Sequence, residues 1–154
     1  MTPGYSYNET AVLENFGLCV LAFMIIVALH LMSLHFAIRT FHRHSPWKDV
    51  SKLRYHQTLA IILSAMLLLF SLHLATNASW GVLMYWAGVL PAIREGVYYS
   101  LENYTGLGLT RVNVSDEWRM LAPMISLSGV FCLSWSTAVL VSFFGQIYHM
   151  RLED

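Results

Sequence analysis

Charge is what this sequence has least of. Only 12% of its 154 residues are Asp, Glu, Lys or Arg, and nine basic residues cancel nine acidic ones. Nothing in that balance points to nucleic acid or to a polyanionic partner. Cysteine is scarce as well: Cys19 and Cys132 both fall inside apolar runs, where a small buried thiol is expected and a disulfide framework is not. The chain also lacks a nucleophile–base set, a glycine-rich phosphate loop and a zinc spacing, so no catalytic residue, cofactor or resident metal is expected. Residues Met1 to Glu14 carry no basic run of the kind that opens a secretory signal, and the first apolar run is therefore expected to be a retained span.

What the chain has in abundance is apolar surface. It is 56% hydrophobic, its mean hydropathy is +0.54, and such values belong to integral membrane proteins. One membrane domain over 1–154 is expected. Phe16 to Ile38 is free of charge over 23 positions, enough to cross a hydrocarbon core of about 30 Å at about 1.5 Å per residue. Between Arg39 and Arg54 lie five basic residues (Arg39, Arg43, Lys48, Lys52, Arg54) against one acid, Asp49, and Pro46 interrupts any helix there. A second uncharged run, Gln57 to Ser79, and a third, Met120 to Met150, complete the set. These runs predict a first transmembrane helix over 15–39, a basic loop over 40–54, a second transmembrane helix over 55–79, an external region over 80–118 and a last helix over 119–150. By the positive-inside bias the basic loop is cytoplasmic, which puts the N-terminus outside and the C-terminus in the cytoplasm.

The region between the second and third runs is broken up. Trp80 to Ile93 is apolar but interrupted by Gly81, Gly88 and Pro91, and it is too short to be a further span. It either prolongs the second helix or forms an interfacial helix with Trp80, Tyr85 and Trp86 at headgroup level. Pro91 suits the first turn of a new helix, and Glu95 near that start complements the helix dipole. That helix is expected to reach about Tyr104 and to run into Thr105-Gly106-Leu107-Gly108-Leu109-Thr110-Arg111. Unwound backbone at membrane depth requires shelter by protein or a water-filled cavity.

A short helix, a Thr-Gly-x-Gly turn, a loop with Glu117-Trp118-Arg119 and then a long apolar helix occur here in the order of a pore module. Leu90-Pro91, Tyr98-x-Ser100-Leu101, Gly129 and Trp135-Ser136-Thr137 add to the pattern. In these respects the chain resembles the short bacterial potassium-channel-like proteins of the ion channel 2 superfamily, over about residues 72 to 148. The resemblance implies an all-helical, homotetrameric protein of the bacterial inner membrane, with three spanning helices, a re-entrant pore helix and a filter-like loop that passes monovalent ions. Against the family filter Thr-Thr-x-Gly-Tyr-Gly-Asp, the residues Thr105, Leu107 and Gly108 fit. Gly106, Leu109, Thr110 and Arg111 depart from it, and a β-branched Thr110 resists the positive φ that the second filter glycine adopts. Selectivity is therefore expected to differ from that for potassium.

The resemblance also implies support behind the filter from Tyr98, Tyr99 and Glu102. Arg111 stands where some channels carry an acid, so a bidentate Glu102–Arg111 bridge is one expectation. An Arg111 directed into the external loop near Asp116 and Glu117 is the other. Gly129 marks a possible inner-helix hinge or a point of close packing. Ser126, Ser128, Ser134, Ser136 and Thr137 either line a wet cavity or serve helix contacts. His30, His35 and His73 lie in or near spans, where an ionisable group is a functional candidate by default. They are read either as hydrogen-bonded imidazoles or as a metal set. The leading function is an ion-channel-like pore; the alternative is a non-conducting accessory subunit of a larger membrane complex.

Overall fold

The computed structural model describes residues 9–44, 54–109 and 112–152. Four helices account for most of them: α1 (Glu9–His44), α2 (Tyr55–Trp86), α3 (Ile93–Tyr104) and α4 (Leu121–Leu152), with a single 3₁₀ turn at Asp116–Trp118. No strand occurs among the described residues. Three stretches are long and apolar enough to cross a membrane: Val12–Thr40 in α1, Tyr55–Trp86, which is α2, and Asp116–His149, which starts in the 3₁₀ turn and runs through most of α4. Their outward faces carry large apolar side chains such as Met32 and Phe36 on α1 and Leu63, Leu67 and Phe70 on α2. A helix that is apolar on all sides needs a surrounding apolar phase, so composition and structure agree on a multi-pass architecture.

The expected spans are present with shifted ends. The second helix does not stop near Ser79 but continues to Trp86, which settles the reading of 80–93: its first half prolongs α2. The stop is local. Gly88 adopts φ 69°, its N–H reaches the Tyr85 carbonyl at 3.1 Å, and the Val89 N–H reaches the Met84 carbonyl at 2.9 Å. That pair of bonds is a Schellman cap, which needs a left-handed residue at the position Gly88 holds. The chain then bends through Pro91, and α3 begins only at Ile93, with an extended Ala92 as its N-cap. Pro91 therefore precedes the helix and does not occupy its first turn; the cap spanning Trp86–Val89 leaves it in the bend. Glu95 does lie in the first turn, as expected.

The chain divides into two compact units, one of residues up to Val27 with Asn77–Val130, the other of Ala28–Thr76 with Phe131 onward. The first unit has a core of Cys19, Ala22 and Ile26 on α1, Trp80 and Met84 on α2, Tyr99 and Tyr104 on α3, and Leu121 and Ile125 on α4. The second buries His30, Leu34, Ala65, Thr76, Cys132 and Ser136. Cys19 and Cys132 are both buried and free.

Candidate functional site

Helix α3 leads directly into the filter-like turn. It buries Gly96, Tyr99, Ser100, Asn103 and Tyr104, a stripe at i, i+3, i+4, i+7 and i+8 that makes one face of a helix. Tyr98 lies on the other face and is exposed. Burial holds the Tyr99 phenol above its ordinary range, with the neighbouring Cys19 a smaller cause, so Tyr99 is a neutral side chain of the core.

Glycine sets how closely α3 approaches its neighbours. A Cβ on Gly81 of α2 would lie 2.7 Å from the Val97 amide nitrogen, and one on Gly96 would lie 2.8 Å from the Gly81 Cα. Farther along, the Tyr104 carbonyl sits directly on Gly129 of α4, where any Cβ would overlap the oxygen. Helix α4 runs unbroken from Leu121 to Leu152. Gly129 thus has a packing role in this structure.

Buried polar contacts fix α3 in register. The Ser100 hydroxyl donates to Asn77 Oδ1 at 2.7 Å, the Ser126 hydroxyl donates to the Asn103 carbonyl at 2.9 Å, and the Asn103 side-chain amide donates to the Tyr99 carbonyl at 2.8 Å. Nearby, the Trp80 indole N–H donates to Ser128 Oγ at 3.1 Å, and the Ser128 hydroxyl passes its own hydrogen to the Ile125 carbonyl at 2.7 Å. Ser126 and Ser128 are therefore helix-contact residues. Ser134 and Thr137 are exposed, and the Thr137 hydroxyl donates to Leu133 of its own helix.

The filter-like turn follows α3 directly. Thr105, Gly106, Leu107, Gly108 and Leu109 are all exposed. Gly106 and Gly108 have φ values of 75° and 63°, with no positive φ at Leu107. The Gly106 N–H donates to the Asn103 carbonyl at 2.9 Å, while the Leu107 and Gly108 N–H groups converge on the Glu102 carbonyl at 2.9 and 3.1 Å. This is a second Schellman cap, with Gly106 in the role that Gly88 plays on α2. The Thr105 hydroxyl donates to the Leu101 carbonyl at 2.9 Å. Thr110 and Arg111 lie outside the described residues, and with them the expected Glu102–Arg111 bridge. On the same unit, the Asn15 side-chain amide donates to the Glu117 carbonyl at 3.3 Å, tying the start of α1 to the 3₁₀ turn.

The three membrane-zone histidines separate. His35 is exposed, whereas His30 and His73 meet with ring centroids 5.0 Å apart. His30 is 3% exposed; its Nδ1 lies 2.8 Å from Thr76 Oγ1 and its Nε2 lies 3.4 Å from Ser136 Oγ. The Thr76 hydroxyl hydrogen is directed at the Leu72 carbonyl, 2.9 Å away. Thr76 Oγ1 is then an acceptor for His30 Nδ1–H, and Ser136 Oγ faces Nε2. The cluster is a hydrogen-bonded imidazole pair set among hydroxyls. Among the described residues no group of three metal-ligating side chains occurs, so the metal reading of His30, His35 and His73 loses its geometry. Position alone hid this pairing, because residues 30, 73, 76 and 136 are brought together only by three helices. No family model, curated protein or solved structure matches this chain.

Proposed function

We propose that this chain is an ion-channel-like pore protein that assembles as a homotetramer in the bacterial inner membrane, with its N-terminus outside. The carrying observation is α3 with the turn that follows it: a 12-residue helix, too short to span, seated against α2 and α4 and delivering an exposed non-helical segment, Thr105–Leu109. If α3 is re-entrant, four copies around an axis give that segment the shelter that backbone at membrane depth requires. Departures at Gly106, Leu109, Thr110 and Arg111 favour a selectivity unlike that for potassium. Planar-bilayer recording of the purified protein under potassium, sodium and chloride gradients tests the reading. Resolved single-channel events with a defined reversal potential support it, and silence from fourfold particles across pH defeats it.

A second reading draws on the Gly106 cap. Because Gly106 and Leu107 spend their N–H groups in terminating α3, the same residues serve a plain helix stop in a non-conducting accessory subunit. Particle stoichiometry separates the two: four identical chains favour the pore, and one copy beside unrelated membrane subunits favours the accessory role.

A further inference from the structure

A groove of about 390 Å³ in the second unit has no part in the pore reading. Its walls come from three helices: Leu34 and Ile38 of α1, Ala65 and Leu69 of α2, and Ala138 and Phe143 of α4. The volume falls in the range of small-molecule sites, and most of its lining is apolar. Small side chains, Ala65 and Ala138 among them, leave the space open.

The position of the groove along the helices is defined by sequence spacing. It begins one turn from the buried polar cluster: Leu34 follows His30 by four residues, Leu69 precedes His73 by four, and Val139 follows Ser136 by three. That cluster lies near the midpoint of each of α1, α2 and α4. From Ala138 to Gln146 the groove follows α4 over nine residues, about 12 Å at the rise of an α-helix. Half of a hydrocarbon core is about 15 Å. The groove therefore has the depth of one leaflet, running from the middle of the helices toward the end where α1 meets the basic loop.

Polarity changes at that end. Ser142 and Gln146 supply the groove's hydrogen-bonding side chains. Arg39 directly follows Ile38, and Arg54, the residue before α2, lies eleven positions before Ala65. Arg54 is held at the helix start by its N–H donating to Gln57 Oε1 at 2.9 Å. Arg39, Arg43 and Arg54 are exposed, and the segment from Arg39 to Arg54 holds five basic residues against one acid.

We infer that this groove is a binding site for an anionic phospholipid of the leaflet on the side of Arg39 and Arg54, one acyl chain lying between α1, α2 and α4 and the headgroup meeting the exposed arginines Arg39, Arg43 and Arg54 at that end. Apolar walls one leaflet deep select an acyl chain, and the exposed arginines toward that end select a negative headgroup. The site is independent of whether the chain conducts.

The test uses the full chain in nanodiscs of equal phosphatidylglycerol and phosphatidylcholine, released into mild detergent for native mass spectrometry. Retained lipid is expected to be enriched in phosphatidylglycerol by about fivefold for each arginine engaged. The Arg39→Gln, Arg54→Gln double variant is expected to bring the two lipids close to parity. Ala138→Phe and, from a different helix, Ala65→Phe fill the groove and are expected to lower retention of both lipids; circular dichroism identifies which filled variants remain helical. Retained lipid at the bulk ratio in the wild-type chain overturns the inference. So does undiminished retention in a folded groove-filled variant, or a lipid-free dimer showing that a second copy occupies the groove.

Discussion

Two glycines on one helix are expected to respond oppositely to the same added methyl group. At Gly129 a Cβ overlaps the Tyr104 carbonyl, a backbone atom that cannot swing aside, so Gly129→Ala is expected to cost about 1–3 kcal/mol through overpacking. At Gly145 a Cβ meets nothing within 4 Å, and Gly145→Ala is expected to gain up to about 1 kcal/mol from helix propensity. Denaturant titration of the two variants in the same detergent checks both signs. Gly106 gives a third case: its φ of 75° leaves open space around the missing Cβ, so Gly106→Ala carries only the left-handed backbone cost of about 1–2 kcal/mol. That loss should appear as fraying at the end of α3, measurable by amide exchange at Leu107 and Gly108.

At the scale of elements, α3 depends on its neighbours. A 12-residue helix is marginal by itself, and α3 has no side-chain bond at its N-cap. Its order comes from the Gly81–Gly96 crossing and from the hydroxyls of Ser100 and Ser126. Hydrogen bonds between helices in membranes contribute about 0.6–1.7 kcal/mol each. Ser100→Ala combined with Ser126→Ala is therefore expected to lower protection of the α3 amides by one to two such increments while leaving α4 unchanged, as hydrogen exchange would show. Ser128→Ala removes the acceptor for the buried Trp80 N–H and should destabilise by a comparable amount; an unchanged melting midpoint together with unshifted Trp80 fluorescence would contradict that hydrogen bond.

For the whole molecule, α1, α2 and α4 are long and apolar enough to cross a membrane, and three crossings by these helices predict opposite sides for positions 47 and 113. Single cysteines introduced at Trp47 and at Asn113, in a chain with Cys19 and Cys132 replaced by serine, are expected to react with an impermeant maleimide from opposite sides of sealed vesicles. Labelling of both from one side would remove a span. The sequence by itself determined the number and rough position of the spans, because hydrocarbon excludes charge over a fixed length and that exclusion is readable residue by residue. It also showed interruptions at Gly81, Gly88 and Pro91 and a short helix from Pro91 to about Tyr104; of these interruptions the structure ends a helix only at Gly88, carries α2 through Gly81 and starts α3 at Ile93. What the tertiary structure decided was which polar groups meet. Asn77 with Ser100, Trp80 with Ser128, and His30 with His73, Thr76 and Ser136 are separated by 23 to 106 positions, and none carries a local signal. A hydrogen bond across helices depends on how the helices are rotated and how closely glycine lets them approach, and those are set by packing among the whole set of side chains.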